Sequence, residues 1–138
     1  MTRRIEVSTD IATCLRLRRE VFIDEQGVTE ADEIDDLDEQ STHLIAFVDD
    51  APAGTARITI QGGIAKIGRV CVLRPYRGTG LGADLICKAL QVAKGKATTA
   101  KLGAQVHALQ FYERLGFVAT GPVYDDAGID HRDMVRDL

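Results

Sequence analysis

The sequence has no surplus of positive charge, no long apolar run, no paired-cysteine motif, no internal repeat and no low-complexity tract. Each absence removes a class of function. Seventeen Lys and Arg stand against twenty-one Asp and Glu, a net charge of −4, so a nucleic-acid binder that works by neutralising phosphates is not expected. The longest uninterrupted apolar stretch, Leu44 to Val48, falls far short of the roughly 20 residues a spanning helix needs, and no membrane association is expected. The opening residues Met1-Thr2-Arg3-Arg4-Ile5-Glu6 lack the apolar region of a signal peptide, so the expected location is cytoplasmic. Cys14, Cys71 and Cys87 form no CxxC pair and leave one thiol over in any disulfide scheme. Neither a zinc site nor a disulfide scaffold is supported, and small buried hydrophobes are their expected role. A calcium loop fails too, because Asp36, Asp38 and Gln40 resemble its first ligands but no Gly follows at the required position. No metal is expected.

What remains is a chain of 138 residues, 45% hydrophobic, the size of one domain over residues 1–138 and with enough apolar content for a core. Its charge is unevenly spread. Twelve acids and no Lys or Arg fall between Glu20 and Ala56, leaving nine acids against seventeen bases elsewhere. Such a split suits a protein that holds an anionic cofactor on one side and attracts a cationic substrate on the other, with a solvated acidic loop as the simpler alternative.

Arg4 to Val7 reads as a short strand. Ser8-Thr9-Asp10 then offers an N-cap for a helix that runs to about Glu25 and stops at Gly27, with Ile11, Cys14, Leu15, Val21 and Phe22 on its apolar face. Gly27 to Gln40 holds too little apolar content for a helix and is expected to be a long acidic loop at the substrate entrance. Strands follow at Thr42 to Val48, Gly54 to Gln61 and Ile64 to Leu73, joined by the Asp49-Asp50-Ala51-Pro52 turn and a tight Gly62-Gly63 hairpin. A helix carrying Leu81, Leu85, Ile86, Leu90 and Ala93 on one face ends at Gly95. Ala100 to Val106 is a fifth strand and His107 to Leu115 a short helix, followed by Phe117 to Thr120, the Asp125 to Gly128 turn and a last strand near His131 to Arg136. This order predicts an α/β fold with a mixed sheet.

The segment Arg77-Gly78-Thr79-Gly80-Leu81-Gly82-Ala83 joins a β-branched strand to an amphipathic helix. Its glycines let successive N–H groups turn toward one anion at a helix N-terminus, a site for a phosphate or pyrophosphate to which Arg77 can add a charged hydrogen bond. The spacing GxGxG is not the GxGxxG dinucleotide fingerprint, and no Gly-Lys-Ser/Thr follows to make a Walker loop.

With this loop, the chain resembles the GNAT superfamily of acyl-CoA-dependent N-acetyltransferases, whose Gln/Arg-x-x-Gly-x-Gly/Ala motif is matched by Arg77, Gly80 and Gly82. A second family motif is matched downstream by Ala108, Tyr112, Gly116 and Phe117. Val21-Phe22 with Glu25-Gln26, the acids Glu33, Asp35 and Asp38, Leu102-Gly103-Ala104-Gln105 and Gly128-Ile129-Asp130-His131 are similar to the small bacterial ElaA-like branch. The resemblance covers nearly the whole chain. It implies a mostly antiparallel sheet with a splayed parallel strand pair flanked by helices.

It further implies acetyl-CoA as co-substrate, with Val70, Cys71 and Val72 along its pantetheine arm and Arg77, Gly78, Thr79, Gly80, Leu81, Gly82 and Ala83 around its pyrophosphate. The acetyl group would pass directly to the primary amine of a small, cationic substrate, with a strand amide as oxyanion donor and no covalent role for Cys71. Tyr112 would contact the cofactor and protonate the departing thiolate, since a phenol's pKa of about 10 is close to that of a thiol. The strand before the loop reads Ala65-Lys66-Ile67-Gly68-Arg69 and lacks the Glu that many members carry there. Glu25, Glu33, Asp35, His107 and His131 are the candidates for the base or the substrate pocket, and His43 is expected to be structural. Homodimers are common in the family, but no interface stripe stands out. An acyl-CoA-binding regulator without turnover is the competing reading.

Overall fold

Seven strands build one sheet in the computed structural model, which describes residues 2–138. They are β1 (Arg3–Ser8), β2 (Thr42–Val48), β3 (Ala51–Gln61), β4 (Ile64–Val72), β5 (Thr99–Gln105), β6 (Val118–Asp126) and β7 (Ile129–Asp137), arranged β1-β2-β3-β4-β5-β7-β6. Three reversals set this order: Asp49-Asp50, Gly62-Gly63 and Ala127-Gly128 each place two successive residues at positive φ. That is the hairpin turn whose twist matches the flanking strands. The glycine pair advertises its turn in the sequence, whereas Asp49 and Asp50 adopt the same geometry without glycine. β3 consequently starts at Ala51, three residues before the predicted Gly54, with Ala51 and Pro52 paired to Val48 and Phe47. β6 and β7 likewise pair beyond the predicted Phe117 to Thr120 and His131 to Arg136 segments, up to Asp126 and Ile129 beside their turn.

The first helix begins as α1 (Ile11–Arg18), capped by Asp10, which accepts from the Thr13 N–H at 3.1 Å and its hydroxyl at 2.6 Å. It continues in π-helical geometry over Arg19–Glu25, so the predicted end at Glu25 holds. Its buried Cys14, Leu17 and Val21 pack on Ile45 and Cys71, on one face of the sheet. α3 (Leu81–Ala93) covers the other face, with Leu81, Leu85, Ile86, Ala89, Leu90 and Ala93 against Ala56, Ile58, Ile67, Leu102 and Met134. The predicted helix at His107 to Leu115 is a 3₁₀ turn at Val106–Ala108 followed by α4 (Leu109–Glu113).

The expected acidic loop is ordered. Between Gly27 and Gln40 it forms α2 (Glu30–Glu33), capped by Thr29, and a 3₁₀ turn at Asp38–Gln40. Arginines from outside the segment hold it down. Arg18, buried on α1, donates from Nε and Nη2 to both oxygens of Glu33 (2.7 and 2.9 Å) and from Nη1 to Asp38 (2.8 Å). Arg57 on β3 donates to both oxygens of Asp35 (2.8 Å each) and to Asp38 (3.0 Å). These groups lose their water on folding, so each charge is tolerated only because its partner is in place.

Among the described residues, β4 and β5 are the one parallel pair of neighbouring strands, and they share only Ile64–Thr99, Ala65–Ala100 and Lys66–Lys101 before separating. The register against β3 explains the divergence. Gly68 faces Arg57 and Cys71 faces Thr55, so β4 carries an extra residue there, and Arg69 takes φ 52. A bulge of this kind bends its strand and increases the local twist, which swings the far end of β4 away from β5.

Two outcomes check the arginine network. Arg18→Ala should lower unfolding stability by about 3–5 kcal/mol in urea titration, because it strands Glu33 without its partner. The Arg57 hydrogen bonds hold the Asp35 carboxyl down at about 2 against an ordinary 3.8. A depressed carboxylate contributes stability that is complete above its unfolded value and disappears as pH falls through the folded one. Circular dichroism should therefore show the wild type losing stability between about pH 4 and pH 2, and Asp35→Asn should flatten that slope.

Candidate active site

Where β4 and β5 part, backbone groups that a neighbouring strand would have covered stand open. Strand alternation identifies them. Cys71 O faces β3, since a Cβ on Gly54 would lie 2.7 Å from it, and the Leu73 N–H donates to Ala53 O at 2.8 Å. Val70 and Val72, out of phase with these, direct their N–H and C=O into the fork. The Val72 carbonyl is engaged there by Arg77 Nε at 2.9 Å. Cys71 itself is buried and its thiol is pushed up to about 12 by desolvation, which makes it unreactive.

The glycine loop follows. Gly78 (φ 74) and Gly80 (φ 85) are left-handed, and a Cβ on either would meet nothing within 4 Å. Backbone conformation, not crowding, requires glycine there. Gly80 is the N-cap of α3 and supplies no side chain, so the N–H groups of Leu81, Gly82 and Ala83 point out of the helix end, and Asp84 is the first to bond back, to Gly80 O. Three aligned donors with the helix dipole behind them form a site for a phosphate. Thr79 turns its hydroxyl back to Tyr76 O at 2.7 Å. Arg77 is not over the loop as expected: it donates from Nη1 and Nη2 to both oxygens of Glu25, at 2.7 and 2.8 Å.

A cleft of about 1070 Å³ runs through the fork. Val70, Val72, Ala108, Phe111 and Tyr112 line its apolar end, and Gly103, Tyr124, His131 and Asp133 its polar wall. Tyr112 packs edge-on between Phe111 and Phe117, with centroids at 5.0 and 6.1 Å, and this burial pushes its phenol up to about 12. It stays protonated at any physiological pH. On β7, His131 Nδ1 lies 2.7 Å from Ile129 O. A carbonyl only accepts, so Nδ1 carries the hydrogen and the neutral ring keeps Nε2 as a lone-pair acceptor. The ring stacks on Tyr124, whose hydroxyl donates to Asp133 at 2.7 Å. Gly103 makes this possible, for a Cβ there would lie 2.5 Å from the Tyr124 hydroxyl.

The fork thus brings Tyr112 and His131 to one cleft, but it leaves the carboxylate candidates occupied. Glu33 is buried with both oxygens on Arg18, and Glu25 is held below its usual range by Arg77. Asp35 is a still weaker base. His43 is buried and bonded through Nε2 to Asp38 O, and His107 is exposed against Gln105. The acidic lip expected to attract a cation is reduced by the same network, because Arg18 and Arg57 pair with Glu33, Asp35 and Asp38, while Asp32 lines the cleft with no ion pair among the described residues. Tyr124, Asp133 and Arg69 were missed by the sequence reading. An isolated glycine within a strand, as at Gly103, is the available signal for a close approach such as that of Tyr124. Arg18, an arginine on the buried stripe of α1, is the corresponding signal for the ion pairs. Among the described residues no group of three or more His, Cys, Asp or Glu could hold a metal, and no helix is long and apolar enough to cross a membrane.

A family profile described as "Acetyltransferase (GNAT) domain" matches residues 11–138. The uncharacterized Bacillus subtilis protein YyaT is 38% identical over 140 residues, covering 99% of this chain and 95% of its own. Escherichia coli ElaA is 33% identical over 130 residues, covering 90% and 85%. An acyl-CoA N-acyltransferase from Pseudomonas aeruginosa superposes with a TM-score of 0.85 at 34% identity, over 98% of both chains. A Bacillus subtilis acetyltransferase solved with CoA shares the fold, with a TM-score of 0.77 at 20% identity over 99% of both chains.

The three cysteines are free, Cys14 and Cys71 buried and Cys87 exposed on α3. Labelling the native protein with a thiol reagent should modify Cys87 alone, and mass spectrometry of the digest reads which thiol has reacted.

Proposed function

The chain belongs to the GNAT acetyltransferase family, and from that premise we propose that it transfers the acetyl group of acetyl-CoA directly to the primary amine of a small substrate. The observation that carries this reading is the fork, which sets open strand amides on a cleft lined by Tyr112 and His131, with the glycine loop and the capless end of α3 following directly from β4. The residues fit the co-substrate. The α3 N-terminus with left-handed Gly78 and Gly80 suits the pyrophosphate, and Val70 and Val72 offer backbone partners to a pantetheine amide chain. When bound, acetyl-CoA supplies the thioester that the amine attacks.

The chain's own groups have separable tasks. A fork amide, from Val70 or Val72, donates to the carbonyl oxygen as negative charge develops there. The Tyr112 hydroxyl donates to the leaving sulfur. Its raised pKa makes it a hydrogen-bond donor whose proton moves late, since its phenolate is the stronger base. His131 Nε2 accepts the proton that the attacking ammonium must lose, directly or through water. Asp126 and Asp133, on the β6–β7 wall, receive the cationic end of the substrate in place of the neutralised acids around Glu33. A reaction that consumes acetyl-CoA accords with the cytoplasmic location expected from the sequence.

Calorimetric titration should show acetyl-CoA and CoA binding, with ATP and NADH failing to bind, and binding of ATP or NADH alone would overturn the reading. Gly80→Glu should abolish CoA binding by placing a carboxylate at the helix end. Tyr112→Phe should lower kcat by about 10²-fold or more while acetyl-CoA affinity changes little. An equal loss of both would reassign Tyr112 to packing. In the wild type, no alkaline loss of turnover from this phenol should appear below about pH 11, because its proton is retained up to about 12.

A further inference from the structure

Three basic side chains surround a floor that carries no side chain at the mouth of the fork. Lys66 and Lys101 are register partners at the last pairing of β4 with β5. Beyond them on the cleft side come Gly68 and Gly103, and a Cβ at Gly68 would meet nothing within 4 Å. Arg69 completes the set, and it differs from the other arginines of the network. Arg18 and Arg57 each grip a carboxylate with two donors and Asp38 with another. Among the described residues Arg69 has only the Glu33 carbonyl (2.8 Å) and a single long contact to Asp35 (3.2 Å), both from Nη2. Its buried Nε has no hydrogen-bond partner and stands 3.7 Å from Glu33, whose oxygens Arg18 already holds. Nη1 makes no hydrogen bond among the described residues, and the side chain keeps a quarter of its surface exposed in the cleft.

Two further observations bear on it. Arg69 sits at φ 52 in the bulge, a left-handed conformation unfavourable for a residue with a Cβ, and such conformations cluster at ligand clamps. Lys66 is exposed and has no ion pair among the described residues, while Lys101 keeps one long contact, to Asp133 at 3.7 Å. A planar guanidinium with open donors, flanked by two ammonium groups beside the open space over Gly68, matches a carboxylate or a phosphate.

We propose that Arg69, Lys66 and Lys101 bind an anionic group on the acceptor, so that the substrate is a small amine bearing a carboxylate or phosphate as well as its ammonium. Its two charges fall on different walls of the cleft, the anion at the β4–β5 fork and the ammonium beside Asp126, Asp133 and His131. This inference rests on the acetyl-transfer reading, and it narrows the acceptor from amines in general to zwitterionic ones.

The test uses matched acceptors with and without the anion: glycine and methylamine, β-alanine and ethylamine, 4-aminobutyrate and propylamine, and O-phosphoethanolamine and ethanolamine. CoA release is measured for each, and the Gly68 and Gly103 amide resonances are followed in ¹⁵N-labelled protein with CoA present. Anionic members should exceed their partners at least tenfold in kcat/KM and should shift both glycines, whereas the plain amines should not. Arg69→Gln should raise KM for the anionic acceptors about tenfold or more with little change in kcat. Lys66→Gln, an exposed change that leaves the buried pairs intact, should raise it about two- to fivefold. The carboxylate and phosphate arms separate those two anions. Preference for the plain amines, or an anionic preference that survives both substitutions, would overturn the proposal. So would silence of both glycines and of turnover in a protein that binds acetyl-CoA. Failure of acetyl-CoA to bind would instead count against the acetyl-transfer reading, and the glycine shifts would still report the anion site.

Discussion

Everything at the candidate site depends on how briefly β4 and β5 stay together. A parallel pair normally satisfies its backbone groups along its length, yet here the pairing ends at Lys66 and Lys101. One extra residue in β4, the bulge at Arg69, turns the strand aside. The separation opens the Val70 and Val72 backbone and makes room for the cleft between the two walls. Had the register stayed regular, β5 would have covered those amides and left an ordinary sheet surface.

The second determinant is electrostatic. Three arginines reach into an acidic segment and convert it from a solvated loop into an ordered wall of the cleft. Arg18 and Arg57 are almost fully desolvated, and their carboxylate partners compensate for the loss of water. One consequence is that Glu33, Asp35 and Asp38 are paired rather than open to a substrate. Another is that the carboxylates best placed in the sequence for proton transfer, Glu25, Glu33 and Asp35, are bound by guanidinium donors, whereas His131 stands on the opposite wall of the cleft.

Much of this was legible beforehand because it depends on local rules. The α3 stripe from Leu81 to Ala93, the Asp10 cap, the Gly62-Gly63 hairpin and the glycine loop each follow from periodicity or from backbone geometry over a few residues. Tyr112 and the loop were found through motif spacing, which records positions along the chain. The turn after β2 was expected over Asp49 to Pro52, but its confinement to Asp49 and Asp50 escaped, because left-handed φ at two successive aspartates is selected by the flanking strands. The extensions of β6 and β7 escaped because their exposed, polar residues carry no alternating pattern. Arg69 and Tyr124 escaped for a different reason: their significance lies in contacts across 30 or more residues to Glu33 and across β7 to Gly103.

The sequence by itself therefore determined most of the elements, the family and the glycine loop at the start of α3, since helices, tight turns and a capless helix end are written in short-range spacing. Only the tertiary structure decided which charges are available to a substrate. An acid in the sequence is the same residue whether water or an arginine surrounds it, and the arginines that neutralise Glu33, Asp35 and Asp38 come from α1, β3 and β4. Long-range packing thus paired these acids of an apparently acidic entrance and left Arg69 with donors to spare.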